Sequence, residues 1–354
     1  MELTKKQTSV LYQITEGIKN GEMEQTLGGY AGTGKTTLIR YICQFFPNFA
    51  VAAYTGKAAN VLRKKDVGQA TTIHSRIYIP DIQNGVLVGF QLASKNELNC
   101  EGFIIDEASM VTQEIYEDLA YYNLPIIYVG DHGQLEPVGS NFNLMTNPMY
   151  RLEEIHRNAN DIAKFAESLR KGRNSFQFNG TEDRVIFKTK KQISDHDLME
   201  ADQVICAYNA TRVALNKRIR SIKGFTGGVQ KGDRVMCLQN NKDLNLFNGM
   251  QGEVTDVYED RKGKPLMDFT FDETLYSGIW YDTRFFNVEK PEFDYTSREH
   301  PIPFDFADAI TCHKAQGDEW EKGLVFEQKC KNWDHKRWAY TAASRFKENL
   351  TWAY

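Results

Sequence analysis

The sequence lacks the features that mark secreted, membrane-spanning and zinc-dependent proteins. Its six cysteines include no C-x-x-C pair, which fits neither a zinc site nor a secreted disulfide framework, so a reducing compartment is the simpler interpretation. No run approaches the ~18 apolar residues that a membrane span requires, and the N-terminus has no apolar core of the kind found in signal peptides. We therefore expect a cytoplasmic protein without a membrane partner.

The sequence also lacks an excess of positive charge. Its formal net charge is −4 and its isoelectric point lies near 6.0, so no overall basic field indicates a nucleic-acid partner. Any such partner would be held by local groups. What the chain does have is length and apolar content, because 354 residues with 41% hydrophobic side chains can form two or three domains with more than one core.

Short apolar runs alternate with helical patterns along most of the chain. A helix is predicted over residues 4–19 with Thr4 as its N-cap, and "FAVAAYTG", "FIIDEAS" and "PIIYVGD" predict strands separated by helices. The alternation resumes with "RLEEIHRNANDIAKFAESLRKG", "QVICAY" and "ATRVALNKRIR". Strand and helix in alternation predict parallel sheets, so the fold class is α/β.

Two segments interrupt this alternation. Asn84-Gly85 lies between β-rich flanks and predicts a hairpin at residues 77–97. Residues 231–300 hold short β-rich segments separated by turns, which predict an all-β insertion the size of a small barrel. The two predicted sheet domains cover residues 1–76 with 98–150, and residues 151–230 with 301–354.

Residues 29–36, "GYAGTGKT", match the phosphate-loop pattern G-x-x-x-x-G-K-[ST] in full. Such a loop wraps phosphates with backbone N–H groups, while Lys35 would reach the β and γ phosphates and the Thr36 hydroxyl would bind Mg²⁺. The alternative is a glycine-rich turn that matches by chance. A helical pattern after Lys35 and a second nucleotide motif downstream favour the phosphate loop.

The second motif is the carboxylate pair of "IIDEASM". An apolar strand that ends in Asp106 and Glu107 puts both carboxylates at the carboxyl end of the sheet, where the phosphate loop also lies. In a nucleoside triphosphatase the first acid completes the Mg²⁺ shell and the second takes the proton from the attacking water. Taken alone, the pair could instead cap a helix at residues 111–122.

Further polar motifs follow the later strands. "VGDHGQLEPVG" brings Asp131 and Gln134 towards the phosphates, where a glutamine amide can sense the γ-phosphate and orient water. "HKAQG" and "YTAASR" bring polar groups from the second α/β stretch. A small-molecule phosphotransferase would have no use for these three motifs.

Together the motifs resemble those of superfamily 1 helicases, in particular the RecD-like subgroup that moves 5′ to 3′. The resemblance covers nearly the whole chain, and the motifs come in the family's order. They are "LTKKQ" (Q motif), "GYAGTGKTT" (I), "AYTGKAA" (Ia), "TTIHS" (Ib), "IIDEAS" (II), "GDHGQLEPV" (III), "LEEIHRN" (IV), "GDRVM" with "FNGMQGEV" (barrel insertion), "AITCHKAQGDEW" (V) and "YTAASR" (VI).

This resemblance implies a P-loop nucleoside triphosphatase with two RecA-like domains. ATP would bind in the cleft between them, with Mg²⁺ as cofactor, and single-stranded DNA would cross their top. The hairpin at residues 77–97 would be the wedge that splits a duplex, and the insertion at residues 231–300 would be an SH3-like barrel. Phe90 could serve the wedge, although packing within the hairpin is the simpler use of that ring.

The resemblance also implies a role for each matching residue. The catalytic residues would be Lys35, Glu107 as general base, Gln134 as γ-phosphate sensor, and Arg157 and Arg345 as arginine fingers. Mg²⁺ would be held by Thr36 and Asp106. ATP would be bound by Gln7, Gly32, Thr33, Gly34, Lys35, Thr36, Thr37, Gln316, Gly317 and Glu319. DNA would be bound by Thr55, Lys57, Thr72, His74, Thr311, His313 and Lys314.

Several of these assignments have a structural alternative. Gln7 stands three residues after Thr4 and could simply close a capping box. Arg157 could be one charge on a solvated helix face. His74 and His313 could be ordinary hydrogen-bonded histidines.

The expected function is therefore an ATP-dependent DNA helicase or translocase that acts on single-stranded DNA and on junctions of single-stranded with duplex DNA. We expect a monomer with replication or recombination proteins as possible partners, working in the host cytoplasm if a phage encodes it. The alternative is an ATP-dependent remodeller that binds nucleic acid or displaces protein without processive unwinding.

Overall fold

The computed structural model describes residues 3–83, 86–136, 142–154, 161–172, 184–241, 244, 246–293, 300–329, 331 and 333–354, with the side chains of residues 80–89 left out. Its contacts divide the chain into two units: Met1–Ile82 with Val88–Asn160, and Gln83–Leu87 with Asp161–Tyr354. In the parts described, no helix combines the length and the apolar character needed to cross a membrane.

The elements before residue 160 alternate between strand and helix. In chain order they are α1 (Lys5–Lys19), β1 (Glu24–Gly29), α2 (Lys35–Phe45), β2 (Phe49–Ala53), α3 (Gly56–Lys64), β3 (Thr71–Thr72), α4 (Ile73–Ile77), β4 (Tyr78–Gln83), β5 (Val86–Leu92), α5 (Lys95–Leu98), β6 (Gly102–Asp106), α6 (Gln113–Tyr121), β7 (Ile126–Gly130) and β8 (Tyr150–Leu152).

Six of these strands form the first sheet, in the order β3-β2-β6-β7-β1-β8, and all of its pairings are parallel. Successive side chains of a strand point to opposite faces. Ile104 and Ile127 accordingly join one buried cluster, with α1, α2 and α3, while Phe103 and Tyr128 join a second cluster on the other face. Apolar residues fill both faces, so functional side chains are left to the strand ends.

The later elements repeat this alternation and add a barrel. They are α7 (Asp161–Arg170), β9 (Val185–Lys188), α8 (Asp195–Glu200), β10 (Gln203–Cys206), α9 (Asn209–Ile222), β11 (Arg234–Cys237), β12 (Gln251–Glu259), β13 (Pro265–Phe271), β14 (Thr274–Asp282), β15 (Ile302–Phe306), β16 (Ala309–Thr311), β17 (Trp320–Phe326), α10 (His335–Ala343) and β18 (Phe346–Ala353).

The second sheet is also parallel, with the order β16-β10-β17-β18-β9, and β11 to β15 close into a five-stranded barrel. The predicted α/β class with two parallel sheets and an all-β insertion is confirmed. Two boundaries fall later than expected. β8 pairs with β1, so the first sheet continues beyond residue 150, and the barrel takes its last strand from Ile302–Phe306, beyond residue 300.

The predicted hairpin is present as the two-stranded sheet of β4 and β5, although its turn, Asn84-Gly85, lies outside the described residues. The buried hydroxyl of Tyr122 lies 3.1 Å from the carbonyl oxygen of Ile77 and 2.9 Å from that of Ala93, the residues just before β4 and just after β5. Tyr78 adds a hydrogen bond to the Asp118 carboxylate of α6. The base of the hairpin is therefore fixed to α6 and the residue that follows it.

The barrel is fixed to α9 at both of its ends. Arg212 forms a buried ion pair with Asp305 on the last strand, β15. Arg220 forms a bidentate pair with Asp233, just before the first strand, at 2.7 and 3.0 Å. Buried charges of this kind are costly unless they are paired and hydrogen-bonded. Two such pairs on one helix therefore fix the position of the barrel relative to α9.

Candidate active site

The phosphate loop connects β1 to α2. Gly32 and Gly34 have φ values of 80° and 86°, the left-handed region that favours glycine, and Gly34 is the residue before the helix. The ammonium group of Lys35 donates hydrogen bonds to the carbonyl oxygens of Gly29, at 2.7 Å, and Tyr30, at 3.1 Å. Lys35 thus lies folded over the loop, and Thr36 and Thr37 follow it in the first turn of α2.

Gln7 supports this loop from α1. Its side-chain oxygen accepts from the N–H of Thr4 at 3.0 Å, and the Thr4 hydroxyl accepts from the N–H of Gln7, which forms the capping box. Its side-chain nitrogen donates to the carbonyl oxygen of Thr33 at 3.0 Å. The capping interpretation of Gln7 is confirmed, and the same side chain also holds the phosphate loop. Its predicted contact with adenine stays a prediction.

Asp106 is the last residue of β6 and Glu107 follows it, and β6 is separated from β1 only by β7. Burial raises the pKa of Asp106, while the backbone N–H of Glu107 and the positive charges of Lys35 and Lys65 oppose that rise. Because the positive charge of Lys35 acts against the burial-driven rise in the pKa of Asp106, the phosphate loop and the carboxylate pair share one electrostatic environment.

Glu107 has a backbone conformation that is uncommon for its residue type, with φ 54° and ψ 39°. A side chain held in the left-handed region costs free energy, and such residues cluster at functional sites. The alternative role as the cap of α6 is excluded, because the Thr112 hydroxyl caps that helix by accepting from the N–H of Ile115 at 3.4 Å.

Asp131 and Gln134 follow β7, between the two motifs. Asp131 is fully buried, and its carboxylate accepts from the N–H of Gly133 at 2.9 Å and from the side-chain nitrogen of Gln134 at 3.2 Å. Asp131 therefore fixes the orientation of the Gln134 amide. The sequence places both residues near the phosphates but does not show that one holds the other.

Two aromatic rings of this site were not predicted. Tyr30 of the phosphate loop and His132 of the Asp131 loop have ring centroids 4.2 Å apart, and they join the ends of β1 and β7. The sequence does place one ring in the loop after β1 and one in the loop after β7. It does not show that these two strands are neighbours, so the contact between the rings could not be predicted from it.

The second unit carries the remaining residues of the predicted nucleotide site. Arg345 is 4% exposed, and its guanidinium donates to the carbonyl oxygens of Thr341, at 3.2 Å, and Asp318, at 3.3 Å, and to the Ser344 hydroxyl at 3.0 Å. These three acceptors are neutral oxygens, so none of them carries a negative charge that would neutralise the guanidinium.

The other predicted residues of this group lie near β16 and β17 or outside the described part. Gln316 is buried, Gly317 has φ 83°, and Glu319 pairs with Lys347 at 3.3 Å. Arg157, the first predicted arginine finger, lies outside the described residues. Its role stays a prediction.

In the first unit, the predicted DNA-binding residues lie at two helix starts. Thr55 caps α3 by accepting from the N–H of Ala58, and Lys57 is the second residue of that helix. Thr72 caps α4 in the same way, and His74 is the second residue of α4. Helix N-termini favour anionic groups such as backbone phosphates.

In the second unit, Thr311 ends β16 and His313 and Lys314 follow it. The Lys314 ammonium donates to the side-chain oxygen of Asn248, in the barrel, at 2.8 Å. Burial lowers the pKa of His313. The DNA-binding roles of these residues stay predictions.

Two parallel sheets, with a phosphate loop and a carboxylate pair at one edge of the first, define the class of P-loop proteins with RecA-like domains. Residues 2–190 match the AAA domain family. This is more than half of the chain, so the chain belongs to the AAA domain family.

A sequence relative agrees with this class of P-loop proteins. The chain is 29% identical over 190 residues to the ATP-dependent DNA helicase dda of Enterobacteria phage T4, and the match covers 49% of this chain and 43% of that relative. The chain thus spans less than half the length of this relative. The resemblance to superfamily 1 helicases is confirmed by this match and by the fold.

Solved structures share the fold over the whole length. The Bacteroides Pif1 structure with bound single-stranded DNA matches with a TM-score of 0.68 at 20% identity and covers 100% of this chain and 92% of its own. The Pif1 helicase of Candida albicans matches with a TM-score of 0.62 at 21% identity and covers 100% of this chain and 94% of its own.

Proposed function

We propose that the protein is an ATP-driven DNA helicase that moves along single-stranded DNA from 5′ to 3′ and separates duplex strands. One observation carries the proposal: the first parallel sheet holds the phosphate loop, the carboxylate pair and Gln134 at one edge, while Arg345 directly precedes β18 of a second parallel sheet. The phosphate-loop pattern occurs once in the sequence. The two sheets would therefore share one nucleotide site, and hydrolysis there could drive a hinge motion of one unit against the other.

The chemistry rests on charge and position. Glu107 would accept the proton of the attacking water, and Gln134, held by Asp131, would orient that water against the γ-phosphate. Lys35 would exchange the carbonyl oxygens of Gly29 and Tyr30 for phosphate oxygens, which bind an ammonium more strongly. Arg345 would stabilise the charge that develops during phosphoryl transfer.

The residues present also fit a Mg²⁺ ion. Mg²⁺ prefers oxygen ligands. Thr36 offers a hydroxyl at the loop, and Asp106 offers a carboxylate whose pKa, raised by burial, is partly brought back down by the positive charge of Lys35. When bound, Mg²⁺ would neutralise phosphate charge. The sign of the Asp106 shift supports this use, because a carboxylate that burial makes costly to ionise gains most from a cation.

The DNA would be held by sequence-independent contacts. The helix starts at Thr55 and Thr72 would bind backbone phosphates, and Lys314 would supply a cation on the second unit. If these two grips alternate in strength during hydrolysis, each cycle moves the chain along the strand. We propose a cytoplasmic monomer that acts at junctions of single-stranded and duplex DNA, with replication or recombination proteins as candidate partners.

The proposal is tested by two measurements on the same preparation. ATP turnover should rise on addition of single-stranded DNA, and a labelled strand should be displaced from a duplex with a 5′ tail but not from one with a 3′ tail. Absence of stimulation would overturn the proposal. Stimulated turnover without displacement or movement would instead favour the remodeller.

A further inference from the structure

Three ring side chains follow three neighbouring strands of the second sheet. Tyr208 lies just after β10, His313 just after β16, and Trp333 lies in the segment between β17 and α10. The sheet order is β16-β10-β17, and the pairings are parallel, so all three rings extend from the same carboxyl edge. In open parallel sheets this edge is where ligands bind.

The rings form a continuous row. The centroids of His313 and Trp333 are 5.3 Å apart, and those of Tyr208 and Trp333 are 6.1 Å apart. All three rings keep contact with solvent, and Tyr208 is 38% exposed. By contrast, Trp338 and Trp352, which are fully buried, fill the core of the same unit. The row is therefore aromatic surface in addition to the aromatic core.

Hydrogen bonds hold the Tyr208 end of the row in place. The side-chain oxygen of Gln328 accepts from the N–H of Ala207 at 3.0 Å, and its nitrogen donates to the Thr211 hydroxyl at 2.8 Å. The Tyr208 hydroxyl donates to the carbonyl oxygen of Lys329 at 2.8 Å. These contacts tie the residues just after β17 to the start of α9, so the Tyr208 ring would lose little conformational entropy on binding.

The surroundings are basic. Lys314, Lys329 and Lys331 are all exposed near the ends of the strands that carry the rings. Burial lowers the pKa of His313, which keeps its ring neutral at neutral pH and favours stacking over a charge contact. Rings for bases with cations for phosphates are the combination used by proteins that bind single strands without sequence preference.

We propose that Tyr208, His313 and Trp333 form a stacking site for the bases of single-stranded nucleic acid. The proposal rests on the proposed function and extends it, because the motifs assign only His313 to DNA and assign no ring after β10 or β17. Stacking makes no distinction between bases, since every base has a π-face. The site therefore suits a chain that must follow any sequence.

The test compares two ligands of equal length, a thymidine oligonucleotide and an abasic oligonucleotide that keeps only sugars and phosphates. The wild type should bind the thymidine ligand more tightly. Trp333→Ala should weaken thymidine binding about tenfold and abasic binding by less than about twofold, because loss of one stacked base affects only the ligand that has bases. Tyr121→Ala, which removes an exposed ring in the first unit, is the matched control and should change neither affinity.

Two further measurements separate stacking from folding. Tyr208→Phe keeps the ring and should retain the preference for thymidine, whereas Tyr208→Ala should reduce it. Photocrosslinking of wild-type protein to 5-iododeoxyuridine oligonucleotides should mark Tyr208 or Trp333. Equal losses for both ligands in Trp333→Ala, or crosslinks that miss both rings, would overturn the stacking site. A wild type that binds neither ligand would overturn the proposed function itself.

Discussion

The carboxyl edges of the two parallel sheets have the same architecture but different chemistry. The first edge presents glycines in the left-handed region, charged side chains and the strained Glu107. The second presents a row of rings and exposed lysines, while the buried Arg345 directly precedes β18 and so lies at the opposite, amino edge of that sheet. Both edges result from the same alternation of strand and helix, so the comparison shows that the fold supplies the position and the loops supply the chemistry.

The largest expected effect comes from removing the Arg345 charge, which the second unit would supply to the site at the first edge. Arg345→Ala should lower ATP turnover about 10³-fold while nucleotide affinity changes little, because an arginine finger acts on charge that develops in the transition state. The measurement is kcat beside nucleotide Kd. Arg218→Ala removes a surface arginine paired with Asp195 and should leave both unchanged. Normal turnover of the Arg345 variant would contradict its role.

The next effect tests the first edge alone. Glu107→Gln should retain ATP binding and lower turnover about 10²-fold or more, since the amide keeps the shape of the side chain but cannot accept a proton. The matched control is Glu117→Gln on α6, an exposed glutamate that accepts a hydrogen bond from the Gln113 side chain. This control should leave turnover unchanged. A Glu107 variant with full turnover would sink the assignment of the general base.

A smaller effect tests how the first edge is organised. Asp131→Asn should lower turnover about tenfold, because the asparagine amide can no longer accept both the Gly133 N–H and the Gln134 side chain. If Asp131 acts by holding Gln134, the double variant with Gln134→Ala should be no slower than Gln134→Ala alone. Additive losses in this cycle would mean that the two residues act separately.

The smallest effect separates turnover from strand separation. Tyr122→Phe removes the hydroxyl that faces the carbonyl oxygens of Ile77 and Ala93. The free energy of unfolding should fall by about 1 kcal/mol, and strand displacement should slow by about threefold with unchanged ATP turnover. Tyr121→Phe, one residue earlier and 72% exposed, is the control. Equal displacement by both variants would show that the hairpin base needs no such bond.

The first edge was largely predictable from the sequence. The carboxylate pair and the Gln134 motif come after apolar runs, and a parallel sheet brings such positions together. The strand before Lys35, EQTLGG, is a poor apolar strand, so the phosphate loop was assigned by its full pattern instead. The predicted start of α1 at Thr4 is also confirmed, because a capping box depends only on residues close together in the sequence. Local spacing and strand order are enough when each functional residue follows a recognisable strand.

The second edge was less predictable, because its contacts join residues far apart in the chain. Tyr208 and Trp333 are separated by more than a hundred positions, and the barrel lies between them. The fifth barrel strand was missed for a related reason: Ile302–Phe306 alternates apolar residues with Pro303 and Asp305, a pattern that fits a strand of the second sheet as well as a strand of the barrel. Neither spacing nor propensity decides between those two partners.

The two ion pairs that join α9 to the barrel have a mechanical consequence. Asp233 lies just before the first barrel strand and Asp305 lies on the last one. Both are paired with arginines that lie about two turns apart on α9. An insertion joined only by its two connecting segments could swing about them. With both ends anchored to α9, the barrel would move together with that helix, and a force on the barrel would pass to α9.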